Sequence, residues 1–384
     1  MKVLVANIGS TSFKWRLYAM EDESVLAEGR AERIGAKGGE FADHASAIDD
    51  CLGRLTGPGR PLAKLGDLGA VGFKTVHAKG VGGSPVVNEA VMLALEDYSR
   101  LLPAHNPPYI KAIRAFGVSA PGVPLVAVFE TEFFDGMADE VVTYAVPPSW
   151  AREEGFRRHG FHGASHRWAA ERAMELCVRP ELRHISCHLG GSSSLAAICG
   201  GRAVNTSFGM TPQCGLAQSN RVGDVDVFGV FHMMRVKGWS VDEVSGILAG
   251  ESGLAGLSGT GGDMRDIWKA VGAGNAGAKL AVGVFVNDIR RYLGAFMVQM
   301  GGVDCITFSG GIGEKDSQVR AMALDGLEEF GIRLDPARNG ASGVEARISA
   351  DDSRVRVFTV KTNEELMVAR SAFKAVSGRG SKEI

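Results

Sequence analysis

Short apolar runs alternate with stretches in helical register along the first 130 residues. Lys2–Ala6, Phe13–Tyr18 and Ser24–Arg30 read as strands. Apolar positions recurring every three or four residues predict helices over Phe41–Leu55 and Glu89–Leu102, the second closed by Pro103. Ala70–His77 reads as a buried strand between them, and Val123–Phe129 as another after the Pro121-Gly122 break. The pattern returns beyond Pro147-Pro148, with strands over His184–Leu189, Ser194–Cys199, Ala203–Ser207 and Cys305–Phe308 and a helix from near Asp316. Ala278–Met300 is the longest apolar stretch, but Lys279, Asp288, Arg290 and Arg291 mark it as a helix of a soluble protein rather than a membrane span. Asn363–Val376 reads as a last amphipathic helix and Ser377–Ile384 as a frayed tail. The chain is α/β, in two halves.

Each half opens on an unusual corner. Asn7-Ile8-Gly9-Ser10-Thr11-Ser12, followed by Lys14, matches His188-Leu189-Gly190-Gly191-Ser192-Ser193. A hairpin needs one Gly or Asn at its turn, not a run of hydroxyls and a lysine. Backbone N–H groups of such corners can converge on an anion, and hydroxyls and an ammonium add donors. A third Gly-rich loop, Gly310-Gly311-Ile312-Gly313-Glu314, follows the Cys305–Phe308 strand. For any one of these a solvated turn is the commoner explanation; the three together favour a phosphate or nucleotide site. No G-x-x-x-x-G-K-[ST] occurs, and Gly310–Gly313 lacks G-x-G-x-x-G spacing, so neither a P-loop nor a Rossmann site fits. The paired corners suggest duplicated domains, similar to those of actin-like, sugar-kinase-like and Hsp70-like ATPases.

Composition narrows the class without changing it. A length of 384 residues suggests two domains or three. A net charge of −2 argues against a broad nucleic-acid footprint. Six scattered cysteines without a C-x-x-C pair read as reduced thiols, and Val3–Ala6 is too short for a signal-peptide core, so a cytoplasmic location is expected.

One ordered set of motifs is more specific. Asn7-x-Gly-Ser-x-Ser-x-Lys14, His105-Asn-Pro107, Arg158-His-Gly-Phe-His-Gly-Ala-Ser-His166, Cys187-His-Leu-Gly190, Thr206-Ser-Phe-Gly-Met-Thr-Pro212, Arg221-x-Gly-Asp224, the Gly-Asp-Met-Arg ending at Arg265, Gly310–Glu314 and Thr362-Asn-Glu-Glu365 follow one another along the chain. In this order they resemble the acetate kinase family over nearly the whole length. The resemblance implies two actin-like domains around a central cleft, one of residues 1–147 plus 366–384 and one of 148–365. It also implies reversible transfer of the ATP γ-phosphoryl group to a short-chain carboxylate with Mg²⁺, and a homodimer.

The implied roles fall on particular residues. Asn7, Ser10, Ser12, Lys14, His188, Gly190, Gly191, Asp263, Met264, Arg265, Gly311, Ile312 and Lys315 match nucleotide- or phosphate-binding positions, with Asn7 and Glu364 tied to the metal. Arg221, His162, Glu130, Lys74 and His105 match the catalytic set; Val76, Ala104, Phe161 and Pro212 match the acyl pocket. A carboxylate is already ionised at neutral pH, so this chemistry needs cations and positioning rather than a base. Arg221 fits as a planar clamp and His162 as a donor to the transferred group. Plainer readings stand beside these: Arg221 as an ion pair with Asp224 or Asp226, Glu364 as a helix-dipole partner, and His166 packing or capping the helix from Ser165. His159, His162 and His166 lack a third-ligand motif and are interrupted by Gly160 and Gly163, which disfavours zinc.

Departures from the family pattern cluster at the chemistry. Lys74 stands where a substrate-binding arginine is expected and Glu130 where an aspartate is; Ala104 replaces a leucine. On the nucleotide side Gly191-Ser192 replaces Asn-Gly, Ser219-Asn220 replaces Gly-Thr, and Lys315 replaces an asparagine. A retuned enzyme is favoured because Asn7, Lys14, His162, Arg221 and Glu364 survive. The alternatives are a non-catalytic nucleotide-binding protein on the same fold and a kinase with another donor, pyrophosphate or GTP. A chaperone-like ATPase would need a peptide-binding module for which the chain leaves no room.

Overall fold

Val3–Ala6 is apolar without alternation, which suits a strand covered on both faces, and these residues form the heart of β1 (Lys2–Ile8). In the computed structural model, which describes residues 1–341 and 345–378, β1 pairs antiparallel with β2 (Ser12–Ala19), and β2 with β3 (Ser24–Glu32). On its other side β1 pairs parallel with β4 (Leu68–Thr75), and β4 with β5 (Leu125–Phe129). The order is β3-β2-β1-β4-β5. Leu4, Ala6 and Ile8 join Phe13, Val71 and Phe73 in one core with helices His44–Leu55 and Asn106–Ser119. The other face carries the helix Glu364–Val376. A Cβ on Gly72 would lie 3.0 Å from Ala372 and 3.1 Å from Val368, so the glycine lets that helix settle close.

The second sheet repeats the plan. Its strands are β6 (Arg183–His188), β7 (Ser194–Cys199), β8 (Arg202–Thr206), β9 (Cys305–Ser309), β10 (Ala346–Arg347) and β11 (Arg356–Thr359). The run β8-β7-β6-β9-β11 has the same two antiparallel and two parallel pairings as the first sheet, with β10 added at the edge. The helix Ala276–Gln299 lays Phe285, Ile289 and Phe296 against Ile185, Cys187, Ile306 and Phe308. Among the described residues no helix is long and apolar enough to cross a membrane. The helix Gly163–Cys177 brings Ala173 to Cys305, Phe358 and Val360 on the opposite face.

The chain forms two compact units, one of Met1–Asp135, Pro147–Gly155 and the chain from Asn363, the other of Gly136–Val146 and Phe156–Thr362. One crossing falls between Val146 and Pro147, at the expected boundary, with others after Asp135, Gly155 and Thr362. Pro147–Gly155 belongs to the first unit, where Tyr98 Oη donates to the Glu154 carbonyl at 2.7 Å. Three local readings change. The helix from Glu89 stops at Asp97, leaving Leu102-Pro103 in the following turn. The helix expected from Phe41 starts at His44, because the Asp43 side chain accepts from Ser46 N and forms a capping box. Gly310–Lys315 is a helical turn rather than a loop. The tail beyond Gly378 lies outside the described residues.

Candidate active site

In the first unit, β1 and β2 place Asn7 opposite Lys14, and Gly9 N–H donates to the Ser12 carbonyl at 2.8 Å to close the corner. Ser10 and Lys14 are exposed; Asn7 and Ser12 are half-buried. Three chain segments converge elsewhere in this unit. Lys74, near the end of β4, lies 2.9 Å from Glu130, just past β5, and 2.6 Å from Glu364, the first residue of the last helix. Their side chains are only 16%, 11% and 18% exposed. Burial alone would lower the Lys74 pKa, but the fields of Glu130 and Glu364 outweigh it and hold the ammonium well above its ordinary value. Tyr109, whose phenol burial pushes up, feels the same three charges and its Oη accepts from Ile8 N–H at 3.4 Å, next to the corner.

The other expected residues of this unit are less concentrated. Val76 is buried just beyond β4, His105 is half-buried ahead of the helix from Asn106, and Ala104 is exposed. Asn106 of the His-Asn-Pro motif is structural, its Nδ2 donating to the His77 and Leu95 carbonyls at 3.0 Å each.

The second unit holds a cavity of about 720 Å³ walled by Gly190, Gly191, Asp263–Arg265, Trp268, Gly311-Ile312 and Lys315. Gly262 and Gly310 take left-handed conformations (φ 76° and 77°), and a Cβ on either would meet a backbone carbonyl oxygen at 2.3 Å or 2.5 Å. Asp263 caps the helix Met264–Gly272 and its carboxyl is held down to about 2 by hydrogen bonds from Arg265. Asp316 caps Ser317–Leu324 and accepts from Trp268 Nε1 at 2.6 Å, tying two walls together. Trp268, Ser317 and Gln318 line the cavity although the sequence reading passed them over. Trp268 follows Met264 by four residues, a helical spacing that shares a face.

Beside this corner, Arg221 donates from Nη1 to Ser192 Oγ at 3.3 Å and to the Pro212 carbonyl and Gln218 Oε1 at 3.4 Å. Asp224 instead meets Arg291 and Tyr292, and Asp226 caps the helix Val227–Lys237, so these carboxylates have other work than the one considered from the sequence. His162 sits at the head of Gly163–Cys177 with φ 58°, a sparsely populated conformation for a non-glycine residue. Its Nδ1 lies 2.8 Å from Ser194 Oγ, which is 2.8 Å from His166 Nε2, while His166 Nδ1 is 2.8 Å from Ser186 Oγ. His166 is thus buried in a polar chain behind His162 and does not cap its helix. This relay was not visible in the sequence, because strand neighbours supply the serines. His162 and His188 rings are 4.5 Å apart, and Phe161 packs edge-on to Phe208. Pro212 is buried.

The repeated sheet order, with a strand-turn-strand corner opening each copy, defines a duplicated actin-like α/β protein. A model of the acetokinase family matches residues 2–370, and the chain belongs to that family. It is 40% identical to the acetate kinase of Geobacillus kaustophilus over 97% of this chain and 98% of that protein. A crystal structure of Porphyromonas gingivalis acetate kinase superposes with TM-score 0.87 at 34% identity, covering 98% and 99% of the two chains. A propionate kinase from Francisella tularensis gives TM-score 0.87 at 29% identity, covering 96% and 98%.

Proposed function

We propose that this chain is a kinase for short-chain carboxylates, moving the γ-phosphoryl group of ATP to acetate or a near homologue to give an acyl phosphate and ADP, reversibly. The observation that carries the reading is Arg221, whose guanidinium reaches Ser192 of the Gly190–Ser193 corner beside a nucleotide-sized cavity. The acetate and propionate kinases among the relatives supply the acceptor class.

The roles follow from charge. Arg221 clamps the incoming carboxylate and the transferred phosphoryl oxygens, opposing the repulsion of two anions. His162 donates to an equatorial oxygen from Nε2, while Ser194 at Nδ1 orients the ring. His105 is assigned to the same transferred group. Phe161, Pro212, Val76 and Ala104 are assigned to the acyl side, Ala104 leaving room for an acid longer than acetate. Gly190, Gly191, Asp263, Met264, Arg265, Gly311, Ile312 and Lys315 are assigned to the nucleotide, with His188 and the Asn7, Ser10, Ser12 and Lys14 corner at its phosphates.

The family implies a divalent metal, and we assign Mg²⁺. Among the described residues no cluster of three His, Cys, Asp or Glu could hold an ion unaided. That donor set suits Mg²⁺, which takes one or two protein oxygens and completes its shell with phosphates and water. Glu364 and Asn7 are the oxygens that would hold it. When bound, the ion neutralises charge on the phosphates.

Purified protein incubated with ATP, Mg²⁺, a C2–C4 acid and hydroxylamine is expected to yield the hydroxamate. Absence of product with every acid, and with GTP and pyrophosphate as donors, would remove the reading. Binding of ATP without turnover would favour the non-catalytic alternative.

We also assign a homodimer, with the helix Val227–Lys237 at its contact. None of its residues is buried, and Phe228 is 76% exposed. An eleven-residue helix is marginal in water without a covered face. Light scattering should give twice the chain mass, and Phe228→Asp with Phe231→Asp should give the monomer; a monomeric parent protein overturns the assignment.

A further inference from the structure

We propose that Lys74 is a positioning residue, a cation that fixes Glu130 and Glu364 relative to each other, and not the group that receives the substrate carboxylate; the role rests on the kinase reading above. An ammonium has three N–H donors. That of Lys74 donates to Glu364 at 2.6 Å and forms an ion pair with Glu130 at 2.9 Å, in a setting where its side chain is 16% exposed. The ammonium is already engaged by two carboxylates and little of it is exposed, which disfavours it as the receiver of a third.

The placement explains what such a cation does. Lys74 is on β4, Glu130 directly follows β5, and Glu364 begins the helix that covers the sheet. The ammonium therefore pins the start of that helix to two parallel strands. Tyr109 lies within the field of the same group and receives Ile8 N–H, so the pinned cluster borders the backbone entering the Gly9 corner. Removing the cation takes away the contact that both carboxylates share, and their positions relax apart.

Steady-state kinetics on Lys74→Gln, Lys74→Arg, Glu130→Asp and the Lys74→Arg/Glu130→Asp double variant separates the two roles. Positioning predicts that Lys74→Gln lowers kcat about 100-fold while acetate KM stays within about twofold. Arginine reaches further than lysine and aspartate less far than glutamate. Each of those single changes is therefore expected to cost about tenfold in kcat, and the double variant to recover to within about threefold of the parent. An acetate KM raised more than about tenfold with kcat retained, or single effects that simply multiply in the double variant, overturns the proposal. The same cycle read in unfolding midpoints needs no turnover. If the parent makes no acyl phosphate the kinase reading fails on its own, while non-additive midpoints keep the pinning of Glu130 by Lys74 and additive ones remove it.

Discussion

Arg221→Ala is expected to lower kcat/KM for acyl phosphate formation by about 10³-fold, the lower end of what an arginine aimed at a transferring phosphoryl group contributes. The fold should survive. The bonds from Arg221 to Ser192, Pro212 and Gln218 are long, 3.3 to 3.4 Å, and Ser192 Oγ keeps its 2.6 Å bond to Gln218 without the guanidinium. The stability cost of losing contacts this weak is about 1 kcal/mol or less. The guanidinium reaches Ser192 in the glycine-serine corner, which is the basis of its assigned role. Arg221→Lys keeps the charge and loses the fork, so it should recover only part of the rate. Hydroxamate kinetics beside thermal unfolding measure both quantities. A variant within about tenfold of the parent in kcat/KM would transfer the clamp to another cation.

The sequence carried more of the architecture than of the site. Val3–Ala6 is apolar without interruption, and Ile185–Cys187 and Cys305–Phe308 are each broken only by a buried hydroxyl, Ser186 or Thr307, because central strands are covered on both faces. The two glycine-serine corners were legible because small residues in tight turns are forced by backbone geometry. Helix ends depart from the periodicity: the Asp43 capping box delays one helix, and another ends at Asp97, before Pro103. Gly310–Lys315 looked like a loop by composition, but Leu189 O accepts from both Ile312 N–H and Gly313 N–H, at 2.9 and 3.1 Å, and helps hold it as a helical turn. Contacts between residues far apart in the sequence have no local signal. Nothing near position 74 announces a carboxylate at 364, and nothing near His162 announces Ser194 or Ser186. Such partners are set by strand register and helix docking, which no local pattern encodes.

Arg320→Ala is expected to destabilise the second unit by about 4 kcal/mol and to weaken nucleotide binding without altering acetate KM. Arg320 is fully buried, and burial lowers its pKa. Its guanidinium donates to Asn339 Oδ1 at 2.8 Å, to the Gly313 carbonyl at 2.8 Å and to the Asn339 carbonyl at 2.9 Å. Deleting it removes a donor from three buried oxygens, each costing roughly 1–3 kcal/mol if left unsatisfied, and opens a void where the side chain was. Gly313 belongs to the Gly310–Lys315 turn that walls the cavity, so the lost bond also frees that wall. Lysine cannot reach three oxygens with one ammonium, and Arg320→Lys should rescue little. Denaturant unfolding followed by tryptophan fluorescence, with Trp268 in the affected wall, reads the first effect, and the ATP KM reads the second. Unfolding within about 1 kcal/mol of the parent would mean that solvent or a neighbouring donor replaces the guanidinium, and the coupling between this buried cation and the nucleotide wall would then be absent.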